Sequence, residues 1–433
     1  TSLVTWIIKP MNDTIKKILL SIFNEAKQSP GFAIWISILC ALILLGTFAL
    51  LASLVFSMEV LEFSVKIPWV MMISTYVFLV ATGSGLCIIN ALGGVFGIHR
   101  YEMISKRMAF LSLTTIVFGM LYIVLHLGHP ERMPVYNAIS PSFRSAISWM
   151  GALYSVYLVF VVAELYLLIL PELSSKMKHS NGFIKTCLSV ITLEKFKSSA
   201  VADLLKHPKL PRLVATLAFV TGSSALAMLG SVFAHSESRP FWYGAYYPVY
   251  FLLSAIFCGY AFLLCTTIIT YWSRKEDISP KIKNLIFEMA QALALLLTVG
   301  ILFITFRLST GLFNPLNFGP VMLLLKGPFS VFFWIFEIGL MSIIPIVVLL
   351  WAANKKSIPG VLTGSLLVLI GAFAMRYEFV VAGQVYPNIK EMLPSYTPTI
   401  IEVFIIIGVL GAFLLVYTLG EKFLPLKDGE HHL

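Results

Sequence analysis

Two short segments hold the residues best suited to exchanging protons. The first reads Tyr122-x-x-x-His126-x-x-His129-Pro130-Glu131-Arg132, and the second runs from His235 through Glu237 to Arg239-Pro240-Phe241-Trp242. Tyr122 and His126 are four apart and share a helical face, with His129 at or just past the helix end. A histidine titrating near neutrality can exchange a proton with a hydroquinone oxygen, and a nearby arginine can hold the anionic form. His126, His129 and Arg132 are therefore the candidate catalytic residues. Ser74, Tyr76, Tyr122, Tyr154, His235 and Arg239 are the candidate ligands of a quinone head. An alternative use of His126 and His235 is as the facing axial pair of a b-type haem.

A second set is ionisable and lies inside long apolar runs: Glu164, Glu288, Glu337, Arg376 and Glu402, with Arg307 at the end of a run. Each such group costs ~2.5–3.5 kcal/mol in lipid if unpaired. They either pair statically to hold helices together or carry protons along the bundle. Gln291 joins them, three residues from Glu288 and on its face. The expected arrangement has acids along the bundle and Arg307 and Arg376 near its outer mouth. The five cysteines form no C-x-x-C pair or ferredoxin-type ladder. No metal or haem is expected in this chain.

These side chains need elements to hold them. The 433-residue chain is 58% hydrophobic and 12% charged, against about 45–50% and about 25% for soluble domains. So few charges cannot cover so much apolar surface, which excludes a soluble enzyme, a nucleic-acid-binding module and a disordered scaffold. A membrane-crossing helix needs about 20 apolar residues. Ten such runs lie near 32–57, 67–96, 108–128, 146–170, 212–234, 248–272, 285–306, 329–352, 359–377 and 399–419. The expected fold is all-α and polytopic, with about ten transmembrane helices.

The net charge of +10 sorts itself along the chain. Of the 31 Lys and Arg, 23 precede the first run, follow the last, or fall in alternate connections, eight of them in 171–212. By the positive-inside rule those segments and both termini are cytoplasmic. The expected organisation is a cytoplasmic segment 1–31, a transmembrane domain 32–419 with the basic connection 171–212, and a cytoplasmic tail 420–433. The opposite loops, 129–145, 235–247, 307–328 and 378–398, are rich in Pro, Tyr, Phe, Trp and Asn. They suit a face that docks another subunit. A secondary transporter or ion channel is the rival reading, and it would favour broken helices and internal repeats; neither is evident.

Several strings are similar to a known family. Ile67-Pro68-Trp69, Ser74-Thr75-Tyr76 and Ala81-Thr82-Gly83-Ser84-Gly85 resemble the opening core helix of the NrfD/PsrC family. Leu127-Gly128-His129-Pro130-Glu131-Arg132 resembles its D-L-G-x-P-x-R signature, with His126 in place of the usual acid. Arg239-Pro240-Phe241-Trp242 through Ser254-Ala255, Arg376 through Gln384 and Pro387, and Tyr396-Thr397-Pro398-Thr399 with Glu402 resemble the longer HybB/DsrP branch. The resemblance implies two four-helix bundles with flanking helices. It further implies a subunit in a bacterial or archaeal cytoplasmic membrane that exchanges electrons between menaquinone or ubiquinone and a periplasmic ferredoxin-like iron–sulfur partner. Proton translocation and further subunits of a multi-subunit complex are part of the same expectation.

Overall fold

The computed structural model describes residues 30–55, 67–127, 129–135, 139–178, 209–386 and 396–429. The elements are α1 (Pro30–Val55), α2 (Met71–Gly94), the short α3 (His99–Glu102), α4 (Ser105–His126), α5 (Ala146–Lys178) and α6 (Leu210–Ala234). They continue with α7 (Tyr246–Arg274), α8 (Pro280–Phe313), α9 (Pro315–Leu325), α10 (Phe332–Lys355), α11 (Ile358–Val385) and α12 (Ile400–Phe423). All but α3 and α9 are long and apolar enough to cross a membrane. The chain is an all-α, multi-pass membrane protein with ten candidate spans, in the order expected.

Local chemistry sets several ends. Ser279 accepts a hydrogen bond from the Ile282 N–H ahead of Pro280, and Ser357 accepts from the Gly360 N–H ahead of Pro359. A serine cap followed by proline satisfies or removes N–H groups that the first turn leaves unpaired. At the other ends, α7 and α10 stop on Lys275 and Lys356 in the left-handed region, φ 55° and 51°.

Two compact units are present among the described residues. In the smaller, α1 meets the 399–418 part of α12, where a Cβ on Gly46 would come 2.5 Å from the Gly408 Cα. The larger holds the other eight spans and residues 419–429. There α2, α4, α5 and α6 pack in a closed ring, and α7, α8, α10 and α11 pack in a second. Helices α2 and α7 join the rings. They approach so closely that a Cβ on Gly85 would sit 1.8 Å from the Ala255 carbonyl oxygen, with Gly259 against the Gly85 backbone. Small residues permit such crossings in lipid, where packing rather than the hydrophobic effect drives association.

The first half of α10, Phe332–Ile343, is a π-helix that reverts to α-helix at Ile344. Pro345 has no N–H for the turn before it. Just upstream, the Ser342 hydroxyl donates to the Glu337 carbonyl five residues back, at 2.9 Å. Helix α11 presses on this segment, where a Cβ on Gly371 would lie 2.5 Å from the Met341 nitrogen.

Some boundaries differ from expectation. Helix α11 continues to Val385, so Arg376 lies well inside a span and not at its mouth. Residues 378–385, expected in a loop, are helical, and 307–328 holds the end of α8 and all of α9. The basic connection begins as helix through Lys178, and most of it lies outside the described residues, as do 1–29 and 430–433.

Candidate functional site

The second ring encloses four charged side chains. Arg307 comes from α8, Glu337 from the π-segment of α10, and Arg376 and Glu378 from α11. Glu337, Arg376 and Glu378 are each only 1% exposed. Together they line, with Tyr247, Tyr250, Met375 and Phe379, a space of about 10 Å³, the threshold for a single water. The Tyr250 hydroxyl donates to Glu337 Oε1 at 3.3 Å, and Arg376 donates to the Ser254 hydroxyl while its guanidinium lies 4.1 Å from the Phe251 ring centre. Arg307 is half-buried and faces three rings, Phe241 at 4.9 Å, Tyr247 at 5.2 Å and Tyr246 at 5.8 Å. With both glutamates ionised the cluster is neutral. Glu337 Oε2, Glu378 Oε2 and Arg376 Nε are buried without a hydrogen-bond partner, two acceptors and one donor.

The first ring holds three separate sets of polar groups. Asn90 Nδ2 donates to Glu164 Oε1 at 2.8 Å. Ser112 donates to the Gly83 carbonyl, so the Tyr157 hydroxyl must be the donor in its contact with Ser112. Ser84 likewise gives its proton to the Val80 carbonyl, leaving Tyr154 to donate to Ser84 at 3.3 Å. Tyr154 is within electrostatic reach of Arg376 on α11.

His126 ends α4, half-buried, with its Nε2 3.0 Å from the Pro68 carbonyl. The residues expected around it divide. Ser74, Tyr76, Tyr122 and Tyr154 are all buried. Ser74 bonds to the Val70 carbonyl and Tyr76 to the Met150 sulfur, so these side chains are spent inside the ring. His129 and Arg132 are on the surface around a 3-10 turn, 65% and 60% exposed, with His129 3.0 Å from Glu131. His235 is exposed and holds the Ser231 carbonyl with Nδ1. Each ring of the candidate haem pair is thus bonded to a backbone carbonyl, on helices that sit across the first ring from one another.

The acids expected on one path also divide. Glu164, Glu337 and Arg376 are interior, as described. Glu288 instead points outward and pairs with Arg100, the two side chains 45% and 56% exposed, and Gln291 is exposed beside it. Their helical face is the outer one, which the three-residue spacing could not reveal. Glu402 belongs to the smaller unit.

Three groups escape sequence reasoning. Glu378 falls in an expected loop, although its spacing of two from Arg376 is visible in the sequence. Cations at the basic ends of the spans suggest solvated side chains. In fact Lys106 is buried against Glu172, and Arg107 binds Glu421 at 3.0 Å and Asp428 at 2.6 Å. Arg274 joins Glu421, and a polar cavity of about 60 Å³ opens beside them. Burial holds the Asp428 carboxyl above its ordinary range, partly offset by Arg107. Finally, Gln384 stands in the sequence only as part of a family-like string. Among the described residues no group of three His, Cys, Asp or Glu could hold a metal ion.

Eight packed spans in two rings, the second enclosing Arg307, Glu337, Arg376 and Glu378, define a polytopic membrane scaffold. The chain belongs to the NrfD family, whose polysulphide reductase NrfD model matches residues 59–388. A selenate reductase subunit of Mesobacillus selenatarsenatis is 23% identical over 92% of this chain and 96% of its own. The Hdr-like menaquinol oxidoreductase integral membrane subunit of Archaeoglobus fulgidus is 25% identical over 83% and 85%. Protein NrfD of Escherichia coli is 25% identical over 74% and 96%.

Proposed function

We propose that this chain is the quinone-exchanging membrane subunit of a redox complex, passing electrons to or from a ferredoxin-like iron–sulfur subunit. The observation that carries the reading is His126. A carbonyl can only accept, so the contact with Pro68 puts the proton of the neutral ring on Nε2 and makes Nδ1 its basic nitrogen. Pro68 is exposed and His126 half-buried between α2 and α4, with Nδ1 covered, so a lipid-soluble head group arriving beside Pro68 reaches that nitrogen only as the side chains over it shift. Menaquinone or ubiquinone, when bound, supplies a two-electron, two-proton couple. His126 takes or returns one proton at Nδ1, and Arg132 and Arg239 add positive charge at the same face. Ser74, Tyr76 and Tyr154 serve as the packed wall behind it and do not bind the head directly.

The family membership and the names of the relatives support a place in a multi-subunit complex. The basic ends lie in the cytoplasm with both termini, following the positive-inside rule, in a bacterial or archaeal cytoplasmic membrane. The aromatic loops then face the periplasm and dock the iron–sulfur partner. The cluster of Arg307, Glu337, Arg376 and Glu378 acts as a proton-holding station, reached through Glu164, Tyr157 and Tyr154. Either glutamate can take a proton while leaving only one charge unbalanced.

The test uses the intact complex in vesicles. His126→Asn should abolish quinol-dependent electron transfer while the complex still assembles, and unchanged turnover would refute the assignment. Glu337→Gln should leave electron transfer running and remove proton uptake. Uptake that persists in both Glu337→Gln and Glu378→Gln would make the cluster structural.

A further inference from the structure

We infer that Gln384 is a positioning residue that clamps the Ile67–Val70 strap from the second ring and thereby sets the orientation and tautomer of His126 in the first. The inference rests on the reading of His126 above. The Gln384 side chain pairs with the backbone of one residue, Trp69, in both directions. Its Oε1 accepts from the Trp69 N–H at 2.8 Å, and its Nε2 donates to the Trp69 carbonyl at 2.6 Å. Nε2 also donates to the Val380 carbonyl at 2.8 Å, which fixes the amide to its own helix. The Gln384 backbone carbonyl accepts from Arg239 at 2.6 Å. The side chain is 2% exposed, so water does not compete for these bonds.

The strap is short, and the Pro68 carbonyl that His126 uses belongs to the same peptide group as the Trp69 N–H held by Gln384. Residues 67–70 precede α2, and Val70 ties the end of the strap to that helix, its carbonyl accepting from the Ile73 and Ser74 N–H groups at 3.1 and 3.2 Å. What holds Trp69 is Gln384 on its backbone, and on its ring Trp242, stacked at 5.4 Å, and Phe233 at 5.3 Å. Trp242 is itself seated where Gly383 lacks a side chain and donates to the Phe379 carbonyl at 2.7 Å. Phe379 and Gln384 lie on the helix that carries Arg376 and Glu378. A shift of α11 would therefore move Trp69, then the Pro68 carbonyl, and then the bond that keeps the His126 proton on Nε2.

Glutamine is the residue type this clamp needs, since the N–H and C=O of Trp69 together demand one acceptor and one donor. A glutamic acid would reproduce the pair when protonated, and when ionised would turn an oxygen against the Trp69 carbonyl. Arg239 reaches the same residue, on its backbone carbonyl. The experiment measures quinol-dependent turnover of the whole complex between about pH 5 and 8 in the wild type, Gln384→Glu, Gln384→Leu and His126→Asn. Gln384→Leu should lower kcat roughly tenfold to a hundredfold, the scale of a displaced catalytic group. Gln384→Glu should regain most of the lost rate at low pH and lose it as pH rises, an added dependence the wild type lacks. If both Gln384 variants keep the wild-type kcat and pH profile while His126→Asn is dead, the clamp is overturned and the His126 reading stands. If His126→Asn turns over normally, that reading fails first. Should Gln384→Leu not assemble, the pH profile of Gln384→Glu decides alone, and a flat loss across all pH values overturns the proposal.

Discussion

Charge balance in the second ring can be tested by removing one cation and then one anion. Arg307→Met keeps much of the side-chain length and takes one positive charge from a set of two arginines and two glutamates. The remaining Arg376 then faces two carboxylates that are each 1% exposed. Stranding a buried charge by deleting its partner costs about 3–5 kcal/mol. The three rings around Arg307 add about 0.5–1 kcal/mol each. Adding Glu337→Gln restores neutrality between Arg376 and Glu378, and the Gln Oε1 can still accept from Tyr250. What stays lost is mainly the aromatic contribution, about 1.5–3 kcal/mol. The double variant should therefore be more stable than Arg307→Met alone, by about 3–5 kcal/mol, the cost of the stranded charge. Reversible unfolding in mixed micelles of rising SDS content measures both. A double variant no more stable than the single would refute the compensation, because independent sites add their costs.

Three further outcomes follow from the same geometry. Gly85→Ala puts a methyl group 1.8 Å from a backbone oxygen that cannot yield. It should destabilise by at least about 1–3 kcal/mol and cut the yield of folded protein, whereas Gly31→Ala, with nothing within 4 Å, should be silent. At the basic end, Arg107→Leu should release residues 424–429 to limited proteolysis, because Glu421 and Asp428 lose their shared cation. Because the docked Asp428 keeps a proton that the released tail has given up, docking should weaken as pH rises from the ordinary Asp range toward the raised native value; Asp428→Asn should flatten that profile. Glu288→Gln should leave proton uptake unchanged and cost at most ~1 kcal/mol, since its pair with Arg100 is exposed.

The ten spans were legible because lipid leaves no choice of fold. Runs such as 210–234 and 400–423 must bond every peptide group internally, so composition alone names the element. The facing of side chains was less legible. A span in lipid is apolar all round, and α11 offers no polar stripe to tell which side holds Arg376. Glu288 and Gln291 share a face, and nothing in their spacing says whether that face looks in or out.

The cluster itself was beyond a periodicity argument for a more specific reason. Glu337 lies in a π-helix, where about 4.4 residues make a turn, so counting by 3.6 displaces it further with each turn from its helical neighbours. The cause of that geometry is also local to no motif. It combines Pro345, which withholds an N–H, Ser342, which bonds five residues back, and Gly371 on another helix, which lets the widened turn come close. The same logic hid Gln384, whose partner is the backbone of a residue 315 positions away. A side chain bonded to a backbone leaves no residue type at the far end for a sequence to display. Chemistry carried by backbone carbonyls, at Pro68 for His126 and at Trp69 for Gln384, is therefore the part of this site that only the folded chain reveals.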